Sequence, residues 1–97
     1  MTYSLHPAAE HDVATALDFY KEHAGLMVAK RFLAEFERVA ALLIEHPGLG
    51  VPTTRGRRAF PMKVFPYFIV YRILENGIRI IIVRHQHRKP GLADSRG

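Results

Sequence analysis

At 97 residues the chain has the length of one ordinary domain and is read as a single domain over residues 1–97. Its 48% hydrophobic and 24% charged residues are the balance of a globular protein and exclude a low-complexity or disordered chain. With no cysteine, disulfides, thiolate zinc sites and cysteine nucleophiles are excluded together, and the net charge of +5 turns attention to acidic partners.

The N-terminus reads Met-Thr-Tyr-Ser-Leu-His-Pro and lacks the basic region and apolar run of a signal peptide. The longest purely aliphatic run, Ile80 to Val83, is far too short for a bilayer, so a cytoplasmic protein with no membrane contact is expected. Tyr3 to His6 alternates as an edge strand, and Pro7 suits the first helical turn, where its missing N–H is not needed. From Ala8 to His23, Val13, Leu17, Tyr20 and Ala24 recur on one helical face, with Gly25 as a left-handed cap.

A second helix is predicted from Leu26 to Glu45, with Phe32, Phe36, Val39 and Leu43 as its stripe, Leu33, Ala40 and Ile44 widening it, and Pro47 as the stop. The short glycine turn makes the two helices an antiparallel hairpin. The Phe32/Phe36 stripe reads as core, since apolar helical periodicity is the ordinary packing signal.

Residues 47–58 form a Gly/Pro loop with three arginines, and a strand follows from Arg58 to Phe65, with Pro61 demoting it to an edge or a bulge. Asn76-Gly77 between β-branched residues predicts a two-residue hairpin. That turn would pair Ile73 with Ile80, Tyr71 with Ile82 and Ile69 with Arg84, placing Ile69, Tyr71, Ile73, Ile80 and Ile82 beneath the helices. Arg72, Arg79, His85 and His87 would then share the open face with Phe68, Val70, Ile81 and Val83. The predicted fold is α+β, in the order β-α-α-β-β-β, with an N-terminal antiparallel helical hairpin packed on one face of an antiparallel sheet. An open face that keeps apolar side chains calls for a covering partner.

The charge follows the same division. Residues 1–54 carry four cations against seven acids, whereas residues 55–89 carry nine cations against Glu75 alone. Such asymmetry suggests nucleic acid, or an acidic protein segment, as the partner, and the plain alternative is a solvated basic face with no partner. Arg55, Arg57 and Arg58 beside Gly56 are well suited to capture phosphate or carboxylate. His85-x-His87 puts two rings on one strand face, but no neighbouring carboxylate or cysteine completes a ligand shell, so neither a metal site nor any cofactor is expected. Arg84 has a structural alternative, bridging the last carbonyls of the second helix or Glu45. Tyr67 and Tyr71 read as core aromatics whose hydroxyls reach the rim.

Taken in order, the His-Pro-Ala-Ala helix start, Tyr20, Arg31-Phe32-Leu33, Glu45-His46-Pro47, Arg57-Arg58, Phe65-Pro66-Tyr67, Val70-Tyr71-Arg72 and Val83-Arg84-His85 running to Arg88-Lys89-Pro90 span nearly the whole chain. This pattern resembles the RelE/ParE superfamily of toxins from bacterial type II toxin-antitoxin modules, and is closer to its ParE-like branch. The resemblance implies a toxin neutralised by a cognate antitoxin whose acidic C-terminal segment wraps it, in a toxin-antitoxin hetero-oligomer; such folding on binding suits a partner that covers a large surface. ParE-like members poison DNA gyrase and block replication. RelE-like members instead cut messenger RNA on the ribosome, with sheet-face cations and a late acid or base.

Cutting RNA needs a base for the 2′-OH, cations for the phosphorane and an acid for the leaving oxygen. The tail from Gly91 to Gly97 holds no Tyr or His, so a nuclease would use His85 and His87, with Arg58, Lys63, Arg84 and Arg88 on phosphates. The reading adopted is a gyrase poison without chemistry of its own, with Arg57, Arg58, Lys63, Arg72, Arg84, Arg88 and Lys89 as the antitoxin- or target-binding set. The alternatives are a ribosome-dependent mRNA endonuclease and a non-toxic superfamily member that acts as a binding partner.

Overall fold

His6 opens the first helix by turning its own side chain into a cap. In the computed structural model, which describes residues 2–86, its Nδ1 accepts from the Ala8 N–H at 3.0 Å while Pro7 takes the first helical position. A capping acceptor satisfies one of the donors that a helix start leaves without an intrahelical partner. The chain runs β1 (Thr2–Leu5), α1 (Pro7–Ala24), α2 (Leu26–Glu45), β2 (Val51–Pro52), β3 (Arg58–Pro61), β4 (Tyr67–Leu74) and β5 (Gly77–His85), with short 3-10 turns at Pro47–Leu49 and Thr54–Gly56. The expected α+β architecture is present, with the helical hairpin on one face of the sheet.

Gly25 joins the helices at φ 96 and ψ 163, a conformation open to glycine but outside the left-handed helical region that the sequence suggested. From α2, Ala29, Phe32, Phe36, Val39, Ala40 and Leu43 are buried, as the apolar stripe predicts, whereas Leu33 lies at its margin and is 37% exposed. On α1 the buried residues are Ala9 and Ala16, with Val13, Leu17 and Tyr20 packed more shallowly against the same core.

The sheet differs from expectation in being mixed. Its order is β1-β5-β4-β3-β2, with β1 parallel to β5 and the other pairs antiparallel. A helical hairpin between β1 and the rest of the sheet supplies the long connection that parallel pairing requires. Thr2 pairs with Gly77, where a Cβ would stand 1.9 Å from the Thr2 carbonyl oxygen, so glycine lets β1 close onto β5. The two-residue β2 was not visible in the sequence, and β3 ends at Pro61 rather than running to Phe65.

The β4–β5 register also departs from the expected one, for two reasons. Leu74 pairs with Gly77, so the turn is Glu75-Asn76, and Tyr71 faces Ile80 instead of Ile82. Then a bulge intervenes: Tyr71 pairs with Ile80 but Val70 pairs with Ile82, leaving Ile81 as the extra residue. One inserted residue reverses the facing of everything beyond it. Val83 therefore joins the helix-side core, Ile82 turns to the far face, and Ile73 sits near the strand end, 45% exposed.

The helix-side core is closed at one end by an aromatic group. Phe32 meets Phe65 at 5.3 Å and Tyr67 at 5.2 Å edge to face, and Tyr20 meets Phe65 at 5.2 Å. Burial, followed by the neighbouring Tyr67 phenol, raises the Tyr20 pKa above its usual value. At the other end, the buried Tyr71 hydroxyl donates to the Pro47 carbonyl and accepts from the Gly50 N–H at 2.9 Å, tying the chain after α2 to the centre of the sheet. Desolvation raises the Tyr71 pKa, against the lowering effects of Gly50 and Arg58. Where β1 ends, Asp12 of α1 takes over along the edge of β5, its Oδ2 accepting from the Val83 N–H at 3.0 Å.

Candidate functional site

The bulge decides which basic side chains share a surface. Arg72 and Arg79 are direct cross-strand partners, and Arg84 pairs with Phe68, so all three alternate away from the helix-side residues Tyr71, Ile80 and Val83. Arg57, immediately before β3, joins them: a small cavity of about 90 Å³ is lined by Arg57, Arg84, Thr53, Thr54, Val70 and Ile82. The far face thus brings together Arg57, Arg72 and Arg84 from the predicted set, with Arg79 beside them.

Two features mark this surface as electrostatically costly. Like charges set directly across a strand pair destabilise it, and here Arg72 faces Arg79. Their guanidinium groups diverge, Arg72 Nη2 donating to the Arg55 carbonyl at 3.3 Å and Arg79 Nη1 to Ser4 Oγ at 3.4 Å. In addition, Arg57 is only 4% exposed, and charged side chains are almost never so buried without compensation. Guanidinium groups with threonine hydroxyls beside them can hold a carboxylate or phosphate through charge-assisted hydrogen bonds.

The apolar part of this face is not open, contrary to expectation. Val70, Ile81 and Ile82 are between 1% and 5% exposed and form a second cluster with Ala59. The long arginine stems beside them suit this arrangement, since their methylenes cover apolar surface while the charge stays at the rim.

Other predicted residues have different placements. Arg58 follows Arg57 but faces the opposite way: its Nη1 donates to the Gly50 carbonyl at 2.7 Å and the Gly48 carbonyl at 3.3 Å, so it braces the same segment as Tyr71. Lys63 lies in the β3–β4 loop against α2, where its backbone N–H donates to Glu35 Oε2 at 2.8 Å. His85, expected on the open face, instead packs edge-on against the buried Tyr67 at 5.2 Å on the helix side. Arg84, whose expected pairing with Ile69 put it on the helix side near α2, lies on the far face, because the bulge reverses it together with His85. His87, Arg88 and Lys89 lie outside the described residues. Among the described residues no three His, Asp or Glu side chains converge as a metal site, and no helix is long and apolar enough to cross a membrane.

Sequence reasoning missed Thr53 and Thr54, which precede the arginines in a loop without periodicity, and Asp12, whose partner is a backbone N–H far along the chain. Only the threonines had a legible signal, as small hydroxyl residues beside a basic cluster.

Comparison with known proteins agrees with this geometry. A family model described as the ParE toxin of type II toxin-antitoxin systems, parDE, matches residues 3–90. Toxin ParE2 of Mycobacterium tuberculosis, in strains CDC 1551 / Oshkosh and ATCC 25618 / H37Rv, is 22% identical over 91 residues, covering 94% of this chain and 87% of the relative. A chain of the chromosomal ParDE toxin-antitoxin system from P. aeruginosa superposes with a TM-score of 0.76 at 19% identity, over 88% of this chain and 95% of that one, which establishes a shared fold. The chain belongs to the ParE toxin family of type II toxin-antitoxin systems.

Proposed function

We propose that this toxin acts in the cytoplasm by binding DNA gyrase and blocking replication, without a catalytic step of its own, and that a cognate antitoxin with an acidic C-terminal segment neutralises it in a hetero-oligomer. The observation that carries this reading is the separation of His85 from the arginines. General acid–base cutting of RNA needs base, acid and phosphate-binding cations around one phosphate. His85 packs on Tyr67 on the helix side, while Arg72 and Arg84 project from the far face. Among the described residues, guanidinium groups with no imidazole beside them suit docking better than hydrolysis. Arg57, Arg72 and Arg84, with Arg88 and Lys89 of the tail, are the proposed contacts.

The test is purified chain added to gyrase, ATP and relaxed plasmid. Supercoiling should fall or gyrase–DNA cleavage complexes accumulate, and Arg84→Glu should weaken the effect at unchanged thermal stability. Undisturbed gyrase alongside cleavage of ribosome-bound mRNA would overturn the proposal.

A further inference from the structure

The cavity of about 90 Å³ on the far face draws its walls from separate parts of the chain. The segment after β2 gives Thr53 and Thr54, the residue before β3 gives Arg57, and β5 gives Arg84. Val70 and Ile82, at 5% and 3% exposure, supply its apolar part. The volume is far below the roughly 300 Å³ at which pockets for whole small molecules begin, so what the cavity admits is one compact group.

The turn that carries three of these side chains is fastened to itself. The Thr53 N–H donates to the Arg57 carbonyl at 2.8 Å and the Arg57 N–H to the Thr54 carbonyl at 3.2 Å. Between them Arg55 at φ 60 and Gly56 at φ 70 make a left-handed bend, which a non-glycine residue such as Arg55 adopts at a cost that its surroundings must meet. Arg72 braces the bend from β4, its Nη2 donating to the Arg55 carbonyl at 3.3 Å. The closed turn thereby presents both threonines and Arg57 to the same small space.

Charge and donor geometry select the ligand. Two guanidinium groups and two hydroxyls line the cavity, and among the described residues no carboxylate does. A guanidinium can only donate, and a hydroxyl rotates to donate where an acceptor is offered. The Thr53 hydroxyl reaches the Thr54 carbonyl only at 3.5 Å, long for an O–H···O bond, so a closer acceptor would take it over. A carboxylate brings one charge and two oxygens in a plane. A phosphate brings nearly two charges and a tetrahedral set of strong acceptors, which matches donors converging from a turn and a strand. The apolar part beside them lowers the local dielectric and strengthens each charged contact.

We propose that this cavity is a phosphate-binding site. It takes inorganic phosphate or the terminal phosphate of a phosphomonoester, with Arg57 and Arg84 on the charge and the Thr53 and Thr54 hydroxyls on the remaining oxygens. The site is built from this chain alone and does not depend on which protein the toxin attacks. Arg79 lies on the same face but does not line the cavity, so it separates a specific site from diffuse attraction of anions.

The experiment titrates the full chain with sodium phosphate at pH 7.5 and constant ionic strength, reading backbone amide NMR shifts and the melting temperature. Saturable shifts centred on Thr53, Thr54, Arg57 and Arg84 are expected, with a dissociation constant of roughly 1 mM or below and a rise in melting temperature that sodium chloride does not give. Arg84→Gln, at a half-buried position, should weaken phosphate binding at least about 10-fold, and Thr54→Val, at an exposed one, about 3-fold. Arg79→Gln should leave it within about 2-fold. Adenosine 5′-monophosphate distinguishes the two sources: tighter binding than inorganic phosphate assigns the site to a phosphomonoester, equal or weaker binding to the free ion, and either result supports a phosphate site. Unsaturable shifts, or an equal loss in Arg79→Gln and Arg84→Gln, would overturn it in favour of diffuse ion screening. Equal affinity for sodium acetate would overturn the choice of phosphate over carboxylate.

Discussion

The two faces of the β4–β5 ribbon are made by alternate residues of the same strands, yet they differ in nearly every physical respect. Beneath the helices, Tyr67, Ile69, Tyr71, Ile78, Ile80 and Val83 join Phe32 and Phe36 in one continuous core. On the far side, three aliphatic residues form a small cluster bordered by arginines, two of them set directly opposite each other. Stability is concentrated on the first face. The second accepts an electrostatic cost, which suits a surface that an anionic partner relieves. What divides the two is the bulge at Ile81, since without it Ile82 and His85 would exchange sides with Val83 and Arg84.

The largest effect should come from opening the first face. Phe32→Ala removes a ring in contact with Tyr20, Phe65 and Tyr67 and should cost about 3–5 kcal/mol in urea unfolding. Loss of less than about 1 kcal/mol would mean that the aromatic group does not hold the helices. A sharper contrast compares neighbours on the two faces: Ile80→Ala should cost about 3–5 kcal/mol and Ile82→Ala about 2 kcal/mol, because the smaller cluster has fewer apolar side chains around the cavity left behind. Equal costs would argue that both residues point into one core and that the bulge is absent.

Tyr71→Phe keeps the ring but strips the Pro47 carbonyl and the Gly50 N–H of their partner, and should cost about 1–3 kcal/mol by the same measurement. On the far face the signs should divide. Arg72→Gln removes a like-charge pair, so stability should hold or rise by a few tenths of a kcal/mol, roughly, while antitoxin or gyrase binding weakens. The smallest effect concerns pH. The Glu35 pKa is lowered on folding, so its contribution is present above its unfolded value near 4.5 and fades as pH falls through the folded value. Glu35→Gln should therefore flatten the acid limb of the stability curve below about pH 4.5 and leave neutral pH little changed; an identical acid limb in the variant would mean that the Glu35 contacts with Arg38 and the Lys63 N–H add no stability.

Much of the fold was legible because helical periodicity and punctuation agree. Leu26–Glu45 carries an unbroken stripe between Gly25 and Pro47, and Pro7 after a capping residue marks the start of α1. The sheet was less legible. Asn76-Gly77 reads as a complete turn, but Gly77 is needed for the approach of β1, so the turn moves one residue earlier. Nothing in Ile80-Ile-Ile-Val83 distinguishes a bulged strand from a regular one, because every residue is apolar and either facing buries something. The site inherited that ambiguity: Arg72 and Arg79 precede the bulge and were placed on their true face, whereas Arg84 and His85 follow it and were reversed. Arg58 stands apart from the far-face arginines for a different reason, since its partners are backbone carbonyls that composition cannot reveal.

The central claim is that the arginine face docks a protein target and that no RNA is cut. Its most direct test is a pulse-label time course after induction of this chain alone in bacteria, following thymidine and methionine incorporation in parallel. The account predicts that thymidine incorporation falls first while methionine incorporation persists. Early collapse of methionine incorporation, with DNA synthesis continuing, would contradict it.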